Sequence, residues 1–358
     1  MVDEVVVGIY LERHGGALMQ AVASDTGAGQ KQIAPTDFQE FTWDARWGHD
    51  AEDGIKRMAS AVAKIGPKLK TIALASYGPF KFHRRTTSAE KYTGRDFGII
   101  ASASHMPLRG FNLRALFQEG ISRNGGNDKA LITIHTDAEA CAIGEAITQG
   151  ISEDEVLAYF IVTEGIGLGV VQGRRPLSSA LHSEVGMLHV RCQRKDPLRP
   201  PKEYGLYARS LSEMAANQSL RQRFAIKNNL GEINDEDIGK DHDILDLRAY
   251  YLAQACFACA VILAPHKIVL GADLSEANIA GMTEEHFFRL LNARYVDRQP
   301  VFEFDGLRKG DGYISSSQSI SAISEKPLFR VTGALGMCYA AAMLKPDNGE
   351  RAADVSDA

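Results

Sequence analysis

The chain predicts an α/β fold, and three observations lead there. Short apolar runs of strand length recur along its 358 residues, at 4–9, 71–75, 130–135, 157–163 and 267–270. Segments with helical spacing separate several of these runs, the alternation expected of a layered α/β protein. The composition is that of an ordinary globular chain, 45% hydrophobic and 24% charged.

In chain order, residues 4–9 and 17–23 read as two strands joined by the turn LERHGG. Residues 25–48, with Gly27, Gly29, Pro35 and Gly48, read as loop and edge structure. Ile55, Met58, Ala59, Val62 and Ile65 fall on one helical face, and Gly66-Pro67 ends that helix. The strand at 71–75 runs into the turn Ser76-Tyr77-Gly78-Pro79. Residues 81–98 read as a long basic loop, 97–101 as a short strand and 112–120 as a short helix. A strand at 130–135 leads through Thr136-Asp137 into an alanine-rich helix. After residue 190 come a proline-containing loop, mostly helical sequence at 204–227, and an acidic, solvated connection at 228–243. A long apolar helix at 244–263, a strand at 267–270, a helix at 275–294, a mobile polar stretch at 308–325 and a small-residue helix at 332–344 complete the reading.

The balance of charge and cysteine excludes several function classes. A net charge of −5 gives no nucleic-acid footprint. No window holds about 18 uninterrupted apolar residues, so no membrane span is expected. The opening MVDEVVVGIY is acidic and enters a strand directly, unlike a signal peptide. Five scattered cysteines suit reduced thiols in a cytoplasm. Cys256 and Cys259 form a C-x-x-C inside an apolar helical run, which favours core packing over redox or metal chemistry.

Two places carry candidate chemistry. Gly165, Gly167 and Gly169 stand at alternate positions after the strand at 157–163. Alternate glycines strip side chains from one strand face, which lets phosphates or a sugar approach the backbone; a hairpin that merely bends has the same pattern. The spacing is G-x-G-x-G, and a strand follows, so it is no dinucleotide fingerprint. Asp137 ends a strand and begins a helix. It serves there either as an N-cap or as a carboxylate at the sheet edge where α/β proteins place ligands.

Several long segments, in order, are similar to sugar kinases of the ROK type (repressors, open reading frames, kinases), in their bacterial fructokinase branch. They are IALASYGPF, FGIIASASHMPLRGF, ITIHTDAEACAIGEA, IVTEGIGLGVVQGRRPLSSALHSEVGMLHVR and YYLAQACFACAVILAPHKIVLGADL. The resemblance implies a two-lobed, actin-like (ribonuclease H-like) α/β sugar kinase fold with a cleft between lobes. It places one lobe at 1–136, completed by a helix at 330–345, and the other at 137–329; the polar residues 346–358 read by themselves as a disordered tail. It implies ATP with Mg²⁺, a hexose substrate with fructose leading, and a cytoplasmic homodimer. Asp137 matches the general base. Thr136, Gly78, Glu184 and Glu203 match or adjoin sugar-contacting positions, and Gly165, Gly167, Gly169 and Gly271 match nucleotide-contacting ones.

The departures bear on activity. The family opens with D/E-x-G-G-T-K, whereas Tyr10 stands here at the carboxylate position, with Glu12 two residues on. The hairpin reads T-E-G in place of G-T-G, so Glu164 lies where phosphates would pass. The nucleotide loop reads G-A-D, bringing in Asp273. Met187 replaces a zinc-ligand histidine, and Cys192 alone makes no four-ligand site, so no zinc is expected. Two expectations follow: an ATP-dependent sugar kinase, or a catalytically inactive relative acting as a sugar-sensing or structural subunit.

Overall fold

The computed structural model describes residues 4–26, 31–44, 48–80, 99–100, 107–177, 183–198, 209–229, 233–272, 279–293, 309–318 and 328–344. The chain divides into two compact units, one reaching to Gly144 and resuming for the C-terminal helix, the other running from Glu145 to Leu177 and from Ser183 onward.

The first unit is built on a five-stranded sheet in the order β3-β2-β1-β4-β5. Its strands are β1 (Glu4–Glu12), β2 (Gly15–Asp25), β3 (Lys31–Thr42), β4 (Thr71–Ser76) and β5 (Leu131–Thr136). β1, β4 and β5 run parallel, while β2 and β3 are antiparallel additions. The loop and edge reading of residues 25–48 sharpens here into a twelve-residue edge strand. Pro35 is tolerated because it sits on an edge strand where the register slips between Gln20 and Ala21. Helix α1 (Gly48–Lys64) buries Ala51, Ile55, Met58, Ala59 and Val62, the face its spacing predicts. With α2 (Leu113–Arg123) it covers Val7, Ile9, Leu11, Ile72, Leu74, Ile132 and Ile134. The predicted strand at 97–101 is reduced, among the described residues, to bridges at Ile99 and Ile100.

Helix α3 (Asp137–Thr148) follows β5 without a loop, and α9 (Leu328–Met343) lies against β1. The contact of α9 is backbone to backbone. A Cβ at Gly8 would stand 2.1 Å from the Ala334 oxygen, and one at Gly336 would stand 2.0 Å from the Ala140 oxygen. Only glycine permits that approach.

The second unit repeats the connection pattern. Its sheet order is β10-β9-β6-β7-β8, from β6 (Val156–Val162), β7 (Ile166–Gln172), β8 (Arg175–Pro176), β9 (Lys267–Ala272) and β10 (Ile314–Ser316). Here too a first strand pairs antiparallel with its successor and parallel with a later strand reached through helices. β10 corrects the mobile reading of its segment, since it pairs with β9 as an edge strand. The described part of the stretch 204–227 resolves into α4 (Leu211–Ala215) and α5 (Asn217–Asn228), broken at Ala216. The expected acidic connection contains α6 (Asp235–Lys240), capped by Asn234.

α7 (His242–Leu263) is long and apolar enough to cross a membrane by length and composition, but most of that window is buried against the second sheet. Cys256 and Cys259 belong to this core, and burial pushes both thiols up, Cys259 to about 12. α8 (Ile279–Ala293) packs on α7.

Candidate functional site

In the first unit, the carboxyl ends of β1, β4 and β5 bring chemistry-bearing residues side by side. Leu11 pairs with Ser76, and Ser76 with Thr136, so Glu12, Tyr77 and Asp137 are next to one another along one sheet edge. That edge is where open α/β sheets receive ligands.

Thr136, and not Asp137, caps helix α3. The Glu139 N–H donates to the Thr136 hydroxyl at 3.0 Å, and the Thr136 N–H donates to the Glu139 carboxylate at 3.2 Å. This reciprocal pair is a capping box in the sequence Thr136-Asp137-Ala138-Glu139. Asp137, one position into the helix, accepts the Ala138 N–H at 2.8 Å. From Ile132 to Ala146 every residue except Asp137 is buried. Beside it Tyr77 is buried and takes the Leu108 N–H on its hydroxyl at 3.2 Å. Burial pushes the Tyr77 phenol well above its ordinary range; the Leu108 N–H and Arg13 work against that, and Asp137 adds to it. Gly78, joined to Pro79 by a cis peptide bond, follows Tyr77 and is partly exposed.

The opening hairpin is rebuilt. Tyr10 is 2% exposed and lies under α9, where a Cβ on Gly333 would meet its ring at 2.2 Å. Glu12 is engaged by the Arg330 Nε at 2.9 Å and by its Nη2, while Nη1 donates to Glu40 at 2.8 Å. Burial lowers the Arg330 titration, and the two carboxylates more than restore it. The turn itself is pinned by Trp43, whose indole donates to the Arg13 carbonyl at 2.9 Å and whose N–H donates to that of His14 at 3.1 Å.

In the second unit the glycine turn joins β6 to β7. Gly167 pairs with Ile161 and Gly169 with Tyr159, so they share a face with those side chains. Gly165 and Gly167 are partly exposed, and Gly169 is buried. Gly165 opens on space: an added Cβ would meet nothing within 4 Å. The opposite face, with Ala158, Phe160, Val162 and Ile166, belongs to the apolar core. Glu164, the anion that replaces the family's Thr in this turn, is bonded to Arg221 at 2.6 Å. That guanidinium also makes two bonds of 2.9 Å to Asp235.

Glu184 is exposed at the entry to a single 3₁₀ turn, Val185–Met187. Gly186 presses this turn onto the start of β7, its Cβ position 2.8 Å from the Ile166 oxygen. Gly271 is buried near the end of β9, paired with Ile161. The second unit therefore holds Glu184 before a turn packed on β7, the glycine turn between β6 and β7, and Gly271 on β9, whereas Gly78, Thr136 and Asp137 belong to the first. Glu203 and Asp273 lie outside the described residues.

The sequence gives no sign of what holds the loop after Cys192. Asp196 is buried and accepts two bonds from Arg223, at 2.9 and 2.7 Å, and one from the Tyr251 hydroxyl at 2.6 Å. Burial pushes the Asp196 carboxyl up, but Arg223 and Tyr251 outweigh it and hold the group below its ordinary range. The signal was unreadable because the partners stand 27 and 55 residues away. Among the described residues no group of three or more His, Cys, Asp or Glu could hold a metal ion.

The ROK family model matches residues 50–304. The chain is 29% identical to a fructokinase of Lactococcus lactis subsp. cremoris over 232 residues, 64% of this chain and 70% of that one. It is 24% identical to a fructokinase of Streptococcus mutans serotype c over 245 residues, 66% and 74% of the two. A ROK hexokinase from Thermus thermophilus superposes with a TM-score of 0.61 at 18% identity, covering 94% of this chain and 97% of its own. A ROK family glucokinase from Streptomyces griseus, solved with glucose and AMPPNP, gives 0.57 at 13% identity, covering 94% and 99%. These likenesses establish the two-lobed actin-like sugar kinase fold.

Proposed function

We propose, for a chain that belongs to the ROK family, the ATP-dependent phosphorylation of a hexose, with fructose as the sugar. The carrying observation is Asp137: the one residue between Ile132 and Ala146 that is not buried, at the carboxyl edge of a parallel strand, in a turn already capped by Thr136 and Glu139. A carboxylate so placed suits a general base. The attacking sugar hydroxyl oxygen bonds to the γ-phosphorus, the bond from phosphorus to the bridging oxygen breaks with its electron pair leaving on ADP, and the hydroxyl proton passes to Asp137. Phosphoryl transfer asks the protein chiefly for positioning and charge neutralisation.

Thr136 would orient Asp137 through the cap, and Gly78 would leave room beside it. Gly165, Gly167 and Gly169 would receive phosphates on the backbone, for which the open space at Gly165 is the supporting observation. Glu184 and Glu203 would bind sugar hydroxyls, and Gly271 would adjoin the nucleoside. Mg²⁺ supplies neutralisation of phosphate charge; with Glu12 held by Arg330, the ion would be carried by the triphosphate.

A second reading has its own observation. Tyr10 fills the core at the family's carboxylate position and Glu12 is held by Arg330, which favours a sugar-binding subunit without phosphoryl transfer. Calorimetric titration with Mg-ATP, with and without fructose, separates the two. The kinase reading predicts binding at millimolar ATP or below, and absence of any heat or thermal shift removes it.

A further inference from the structure

The turn between β6 and β7 puts an acidic side chain beside Gly165, where an added Cβ would meet nothing within 4 Å. Glu164 accepts from Arg221 Nη1 at 2.6 Å, while Nε and Nη2 of the same guanidinium donate to the two oxygens of Asp235, both at 2.9 Å. Asp235 thus grips one edge of the guanidinium at two points, and Glu164 holds the other at one. The turn is fixed independently of this contact. Its Thr163 N–H donates to the Gly165 carbonyl at 2.9 Å, and the Thr163 carbonyl accepts from Asn217, the first residue of α5, at 2.8 Å. Arg221 stands one turn further along that helix. The side chains of Glu164 and Arg221 are each 31% exposed, so a solute reaches both.

The geometry points to a latch: Arg221 is the side chain that receives an anionic phosphate at this hairpin, and Glu164 is a built-in anion that occupies it until the phosphate arrives. The inference rests on reading the hairpin as the phosphate side of a kinase. A guanidinium has five N–H groups, and the two carboxylates use three. Two remain for a phosphate oxygen before Glu164 moves, and a third is released when it does. Asp235 keeps the fork in place throughout, so the cation is set before the ligand comes. Within this network the Glu164 arm is one bond between two partly exposed side chains, the easier arm to open, whereas a polyphosphate offers several oxygens and more charge to a planar fork. Once phosphate is bound, Glu164 beside it is repelled and swings outward into the solvent it already touches.

Calorimetry with inorganic tripolyphosphate tests the latch without relying on turnover. Glu164→Gln is expected to bind tripolyphosphate about tenfold more tightly than the unaltered chain, Arg221→Gln at least tenfold more weakly, and Arg221→Lys between the two, with thermal midpoints confirming that each variant folds. Equal or weaker binding by Glu164→Gln overturns the latch, as does unchanged binding by Arg221→Gln. Failure of both the unaltered chain and Glu164→Gln to bind overturns it too. Sugar phosphorylation is assayed separately: the expected affinity order without any phosphorylated sugar would leave the latch standing and remove the kinase reading.

Discussion

Asp137 and Thr136 show how one side chain's duty frees its neighbour. The sequence contains the capping box openly, as Thr136 followed three positions later by Glu139, yet Asp137 attracts the cap because aspartate is itself a good one. With the box assigned, the two residues separate by experiment. Thr136→Ala is expected to lower stability by about 1 kcal/mol, whereas Asp137→Ala should change ATP affinity by less than threefold and reduce turnover at least a thousandfold; near-normal turnover would exclude Asp137 as the base. Glu164 was equally visible in the sequence, but its Arg221 partner was not, being 57 residues away. Asp196 gives a prediction of the same kind. Arg223→Met leaves a buried carboxylate without its cation and should cost about 3–5 kcal/mol in denaturant unfolding. The sign with pH is fixed by the depressed Asp196 titration. Its contribution is full above the unfolded value near 3.8 and is lost as pH falls through the lower folded value. Arg223→Met should therefore flatten the acid limb of a stability curve, and an unchanged acid limb would contradict the assignment.

Among elements, strongly periodic or uniformly apolar segments were legible, and edge elements only in part. α1, β4, β5, β6 and β9 follow from spacing and apolar runs, because burial on one face or both dictates residue type. β10 was missed and β3 was read only as mixed loop and edge structure, because edge strands carry polar residues and, in β3, a proline that reads as a loop. α6 was hidden in an acidic run, of which Asp235 pairs with Arg221 and Asp241 with Lys227. α9 was recognised as a helix of small residues, but the reason for their size emerges only from its contacts with β1 and α3. Gly336→Ala places a methyl carbon 2.0 Å from the Ala140 carbonyl oxygen, and overpacking of this kind costs about 1–3 kcal/mol. A thermal midpoint within a degree of the unaltered chain would show that the helices separate without strain.

At the scale of the whole molecule, the repeated strand order of the two units was invisible in the sequence, since topology survives where residue identity does not. The two hairpins at equivalent places, β1–β2 and β6–β7, have diverged. In the first, Tyr10 is given to the core and Glu12 to Arg330; the second keeps its glycines but opposes Glu164 with Arg221. On the proposed function, these changes alter how phosphate charge is met and leave phosphoryl transfer in place. Incubating the chain with Mg-ATP and fructose, and following the phosphorus resonances for a sugar phosphate, tests that most directly. The account predicts stoichiometric ADP and phosphorylated hexose from the unaltered chain and neither from Asp137→Ala; ATP left intact by the unaltered chain across a panel of hexoses would contradict it.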